Sequence, residues 1–156
     1  MFWLLYHGFI RERFPNAKKI GLLSTIGTAK ARIYQAYLEP EGYAVILPDE
    51  DIQVNLVHKS IYDREYGIKA KSAPVTDIAR TRLAQAIDHL LGRGVEVIIL
   101  GCTEIPLAIT EKERQGIPLL DPAMILARAL IREAYPEKLV PLAGWVKSVA
   151  QKAPLL

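Results

Sequence analysis

The residues best suited to chemistry cluster in Gly101-Cys102-Thr103-Glu104, which carries the only cysteine of the 156-residue chain. A thiolate is both nucleophile and base, and a free thiol ordinarily ionises near pH ~8.5. The turn follows the apolar run Val95 to Leu100 and precedes Ile105-Pro106, so Cys102 is expected at a strand end where a helix begins. Amide N–H groups and the helix dipole at such a place favour the thiolate, and a modest depression leaves it largely ionised at neutral pH. Without a function, Cys102 reads as a small buried apolar residue, as free cysteines commonly are. Thr103 offers a hydroxyl and an N–H to a carboxylate, or simply opens the helix. Glu104 suits a substrate amine or holds Thr103, and is otherwise a helix-start acid.

A second hydroxyl-rich stretch is Ser24-Thr25-Ile26-Gly27-Thr28. Thr25, Thr28 and the Gly27 amide could cradle a carboxylate; equally, Thr28 could cap the following helix. The other chemistry-bearing residues are more scattered. His7, His58 and His89 have no metal-ligand spacing, and one cysteine cannot complete a zinc set, so no metal is expected. His89 falls on the solvent face of a helix, and His58 reads as a surface imidazole within reach of the site. No phosphate loop, dinucleotide glycine pattern or Ser-His-Asp order is present.

Two loops become one site only if a scaffold brings them together. Lys19 to Ser24 reads as the first strand and Ala29 to Leu38 as a helix, broken at Glu39-Pro40-Glu41-Gly42. Tyr43 to Leu47 is the second strand, followed by a helix capped by Asp49 and running to about Tyr66. From Pro74 to Leu91 a helix buries Ala79, Leu83, Ala86, Ile87 and Leu90 and exposes Arg82, Gln85, Asp88 and His89. The run Val95 to Leu100 is apolar on both faces, the mark of a central parallel strand. A short helix to Ile109 follows, then a capping-box pattern, Thr110 with Glu113, that predicts another helical turn. Ile117 to Leu120 is the fourth strand. Asp121-Pro122 opens a helix whose buried face is Ile125, Leu126, Ala129 and Leu130. Residues 7–16 suit a short helix, and Leu142 to Ala150 a short amphipathic one. This order predicts an α/β fold, a three-layer sandwich with a short parallel sheet of about four strands. In such sheets ligands bind outside the carboxyl ends of the strands, and both loops lie there.

Length predicts one domain, since domains commonly run ~100–150 residues. The 51% hydrophobic and 24% charged fractions are those of a globular protein, and the net charge of +3 is interleaved rather than clustered, which argues against nucleic acid. The lone cysteine and the lack of a secretory pattern point to a cytoplasmic setting. The apolar Met1 to Tyr6 is far short of the ~20 residues that span a bilayer, so packing on a neighbouring element is expected rather than a membrane.

Taken together, Gly21 to Thr28, Tyr34, Pro48-Asp49, Gln53, Val57-His58, Ile61-Tyr62, Gly101 to Pro106 and Asp121-Pro122 resemble the aspartate/glutamate racemase superfamily. The resemblance is best to its aspartate racemase and broad-specificity amino-acid racemase branch. It covers roughly 18–135, leaving 1–17 as an N-terminal segment without a match and 136–156 as a tail. The resemblance implies chemistry without a cofactor, in which two cysteines flank the substrate Cα and pass a proton from one face to the other. On that reading Cys102 is the second of the pair, while Thr103, Thr25 and Thr28 hold carboxylates. Glu104 stands where glutamate racemases carry histidine, which favours an aspartate-type amino-acid substrate. The resemblance further implies two α/β halves with one cysteine each, of which this chain matches the second. Two expectations follow: an aspartate-type racemase half that pairs with another copy, or a truncated or pseudo-enzyme domain that binds a small amino acid or self-associates without turnover. A one-base relative, such as a decarboxylase or hydantoin-type isomerase, is a third.

Overall fold

The computed structural model describes residues 2–141, so the expected helix at Leu142 to Ala150 lies outside the described residues. Helix α1 (Phe2–Arg13) leads into β1 (Lys19–Leu23), then α2 (Ile26–Lys30), α3 (Ile33–Leu38) and β2 (Ala44–Ile46). Next come α4 (Glu50–Ile52), a π-helical stretch Gln53–His58, α5 (Lys59–Tyr62) and α6 (Asp77–Gly92). Strand β3 (Val97–Leu100), α7 (Ile105–Ala108), β4 (Glu113–Arg114), β5 (Ile117–Leu120) and α8 (Pro122–Ala134) complete the order.

The sheet runs β2-β1-β3-β5-β4, parallel except for β4, which pairs antiparallel with β5. Alternation along the strands divides the interior in two. Leu23, Ile98, Leu100 and Leu119 face α5, α6 and α7, joined by Ile61, Leu83, Ile87 and Ile105. Ile20, Leu22, Val97, Ile99 and Leu120 face the other layer, where Phe9 and Ile10 of α1, Tyr34 and Leu38 of α3 and Ile125 of α8 pack. A parallel strand covered on both faces must be apolar throughout, and all of Val97–Leu100 is buried. Gly21 allows close packing within the sheet: a Cβ there would lie 3.1 to 3.3 Å from Ile98, Leu90 and Val95 side chains. The expected three-layer α/β sandwich is therefore present, with a fifth, two-residue strand added at one edge.

Several local expectations are corrected. The capping-box reading of Thr110 and Glu113 fails, because Glu113 and Arg114 pair with Pro118 and Ile117 in a hairpin. Its turn is Gln115-Gly116, both at positive φ (51° and 77°), the two-residue geometry whose twist matches that of paired strands. The helix expected from Ala29 to Leu38 is split, since Arg32 takes a left-handed φ of 51°. Asp49 stands at the N-cap of α4 but makes no side-chain cap; its carboxylate accepts from Arg93 at 2.7 Å instead. That helical region ends at Tyr62 rather than Tyr66, and the next begins at Asp77, where Thr76 Oγ1 accepts from the Ala79 amide. His89, expected on the solvent face, lies half-buried against Asp49 at 3.5 Å. On α8 only Pro122 and Ile125 are buried, and Leu130 is 60% exposed.

The π-helical stretch has a specific signature: the Lys59 amide donates to Val54 O, five residues back, before α-type bonding resumes. One extra residue per turn rotates everything downstream, and such turns recur at functional sites.

Candidate functional site

After β1 the chain turns toward the Leu22 face of the sheet, where α3 packs, and after β3 toward the Leu23 face, where α7 packs. The adjacent carboxyl ends of β1 and β3 therefore diverge and open a crevice, the place where open α/β sheets bind ligands. Leu23 and Leu100 are paired in register, and the Gly101 amide donates to Leu23 O at 2.6 Å. The Thr25 loop and the Cys102 turn thus leave neighbouring strands side by side. A side chain at 101 would block this arrangement, since its Cβ would lie 3.1 Å from both Leu23 O and the Tyr34 hydroxyl.

Within the turn, the Cys102 thiol donates to Glu104 Oε2 at 2.8 Å, and the Thr103 hydroxyl donates to the same oxygen at 3.0 Å. The other oxygen, Glu104 Oε1, accepts from Lys69 Nζ at 2.5 Å. Burial, followed by the Glu104 carboxylate, pushes the Cys102 thiol up to about 11. This reverses the expected thiolate. The Glu104 backbone amide does pull the other way, as a helix start should, but desolvation and the adjacent carboxylate outweigh it. Contacts with Cys102 and Lys69 hold the Glu104 carboxyl down at about 2. Buried Tyr34 is pushed up to about 12, by burial first and then by its proximity to Cys102. The resting turn is a protonated thiol on an ionised carboxylate.

On the β1 side, Thr25 rather than Thr28 caps α2. Its Oγ1 accepts from the Thr28 amide at 3.3 Å and lies 3.0 Å from Thr28 Oγ1. Gly27, exposed, opens the same turn. Ser24 is fully buried, and its carbonyl accepts from Gln53 Nε2 at 2.8 Å, which ties the loop to the π-helical stretch. Of the six candidates, Cys102, Thr103 and Glu104 thus follow β3, while Thr25 and the first-turn α2 residues Gly27 and Thr28 follow its neighbour β1.

Sequence reasoning missed Lys69, and quoted Tyr62 in the family resemblance without giving it a role at the site. Lys69 Nζ sits 5.5 Å from the Tyr62 ring, and that ring lies 4.8 Å from His58. His58, read as a surface imidazole, is half-buried and its Nδ1 has no partner. Lys69 reaches Glu104 because the irregular stretch after α5 doubles back, with Ile68 N donating to Ser60 O and Lys69 N to Ile61 O. Among the described residues no group of three or more His, Cys, Asp or Glu could hold a metal ion, and no helix is long and apolar enough to cross a membrane.

A sequence model of the Asp/Glu/Hydantoin racemase family matches residues 8–130. The chain is 30% identical over 139 residues to a glutamate racemase of Carboxydothermus hydrogenoformans, covering 84% of this chain and 46% of that protein. It is 39% identical over 102 residues to an uncharacterized protein in the pnlA 3′ region of Pectobacterium carotovorum subsp. carotovorum, covering 65% of this chain and 63% of that protein. Among solved structures, Picrophilus torridus aspartate racemase superposes with a TM-score of 0.64 at 29% identity, over 85% of this chain and 51% of that one. An aspartate racemase homologue from Pyrococcus horikoshii OT3 gives 0.64 at 26% identity, over 85% and 54%. The chain therefore spans about half the length of several relatives that it matches.

Proposed function

Because the chain belongs to the Asp/Glu/Hydantoin racemase family, we propose that it supplies half of a cofactor-independent amino-acid racemase site of the aspartate type. The observation that carries this reading is the Cys102 thiol held 2.8 Å from the Glu104 carboxylate at the β1/β3 crevice. Thr25, Gly27, Thr28 and Thr103 offer hydroxyls and amides to substrate carboxylates. Lys69, 47% exposed, is the cation beside them.

A thiol pushed up to about 11 is a weak acid, and its conjugate thiolate is a correspondingly strong base. At rest only about one molecule in ten thousand is ionised at pH 7, by the tenfold-per-unit rule. A substrate ammonium near Glu104 would neutralise the carboxylate that holds the thiol proton, and so bring the thiol pKa down when substrate arrives. In one direction a base on the far face takes the Cα proton and the Cys102 thiol delivers its own to the near face. In the other direction the Cys102 thiolate takes the Cα proton and the acid on the far face returns one to Cα. These 156 residues hold one cysteine, so the opposite thiol comes from outside them; a second copy across a two-fold axis would present a second Cys102. The reading assigns the chain to the cytoplasm, where a lone thiol stays reduced.

The test is exchange of the Cα hydrogen of L- and D-aspartate in deuterated water, followed by NMR. Exchange is expected at high protein concentration and is abolished by Cys102→Ala. No exchange at any concentration would overturn the reading. The raised thiol pKa favours one alternative, a domain that binds a small amino acid without turnover; it predicts saturable aspartate binding and no exchange.

A further inference from the structure

We propose that the cleft between α2 and the Glu50–His58 helical stretch is a second binding site, for an aliphatic α-amino acid. The cleft has a volume of about 300 Å³, at the lower end of the range for small-molecule sites. Ile26 and Ala29 on one wall and Val54 on the other are half-buried apolar side chains that line it. Gln53 also lines it, only 8% exposed. Its Nε2 donates to Ser24 O at 2.8 Å, which fixes the orientation of the amide, and its Oε1 has no partner. A buried acceptor without a donor is costly, and each such group in a native protein calls for an explanation. A ligand N–H would satisfy it.

Two exposed charges of opposite sign complete the lining, Lys30 of α2 and Glu50 of α4. A zwitterion matches this pattern. Its ammonium donates to Gln53 Oε1 and Glu50, its carboxylate pairs with Lys30, and its side chain lies against Ile26, Ala29 and Val54. An aspartate side chain would set a second carboxylate against those apolar walls, at a desolvation cost that a leucine side chain does not carry. The cleft is distinct from the cysteine site. Thr25 and Thr28 occupy one side of α2, whereas Ile26, Ala29 and Lys30 are spaced along its other side toward β2, the strand on the far side of β1 from β3. The inference does not depend on racemase activity.

The experiment is calorimetric titration of the full chain with L-leucine and L-aspartate, with amide NMR shifts to locate binding. 3-Methylbutylamine and 4-methylpentanoate, which are leucine without its carboxylate and without its ammonium respectively, separate the two charge contacts. One leucine per chain is expected, with shifts centred on Ile26, Ala29 and Val54, and aspartate at least tenfold weaker at these positions. The amine should retain more affinity than the acid. Gln53→Met should weaken leucine by about tenfold or more. Ala29→Trp, which fills the cleft and leaves the Gln53–Ser24 bond intact, should abolish binding while the far-ultraviolet spectrum stays native. Cys102→Ala should leave leucine binding unchanged. Absence of saturable leucine binding, binding that survives Ala29→Trp, or binding lost in Cys102→Ala would each overturn the proposal. Loss of aspartate exchange alone would overturn the racemase reading and leave this one standing.

Discussion

At the scale of the residue, the Cys102–Glu104 pair makes opposite predictions for two substitutions. Alkylation of Cys102 should accelerate with pH toward a midpoint near 11, since only the thiolate reacts. Glu104→Gln removes the carboxylate that raises the thiol, so the midpoint falls and the rate at pH 8 rises several-fold. Lys69→Met removes a nearby positive charge that lowers the thiol pKa, so the rate falls. Iodoacetamide kinetics across pH check both signs. The pair also couples to folding. The Glu104 carboxyl is held down from 4.5 to about 2, so the native state favours its ionised form. That contribution is complete above pH ~4.5 and is lost as pH falls toward ~2. Urea titrations between pH 6 and 2 should show a loss of stability that Glu104→Gln reduces. Much of this constellation was legible in the sequence, because Cys102, Thr103, Thr25 and Thr28 follow apolar strands whose ends are easily read. Lys69 was not, since the chain between Asp63 and Thr76 has no periodicity and its path is set by bonds to Ser60 and Ile61. The thiol's protonation was also hidden, because it depends on burial and on the rotamer of Glu104.

At the scale of the element, the turn geometry depends on one missing side chain and one cap. Gly101→Ala would press a Cβ against Leu23 O and the Tyr34 hydroxyl, and should destabilise the fold by about 1–3 kcal/mol while displacing Cys102. Chemical denaturation measures the first effect and Cys102 alkylation the second. Asp121 caps α8 by accepting from the Ala123 amide at 2.9 Å and the Met124 amide at 3.4 Å, so Asp121→Ala should cost about 1 kcal/mol. It should leave alkylation of Cys102 unchanged. Here the sequence was a good guide, since an acid followed by proline is a local signal with a local cause. It failed where tertiary contacts outweighed local ones. Thr110 and Glu113 have capping-box spacing, yet β5 recruits Glu113 into a hairpin whose real signal was Gln115-Gly116.

At the scale of the whole molecule, the two-faced core and the strand order set the carboxyl ends of β1 and β3 side by side at one end of the sheet. If two copies share one site, the exchange rate per chain should rise with protein concentration and saturate once dimers form. Sedimentation velocity and aspartate exchange measured on the same dilution series check this, and a concentration-independent rate would argue for a single-chain site. The α/β class could be read from the alternation of apolar runs and helical periods. The exposure of Leu130 on α8 could not, because helical spacing identifies an apolar side but not what covers it.

The edges of the sheet have a consequence for how copies can meet. One edge, β2, is three residues long, and the other, β4, is two residues long and consists of Glu113 and Arg114, the latter bound to Asp88 and Glu111. Edges so short and, at β4, so heavily charged offer little backbone for an incoming strand to continue the sheet. Chains of this protein are thereby steered away from open-ended, edge-to-edge stacking through the sheet.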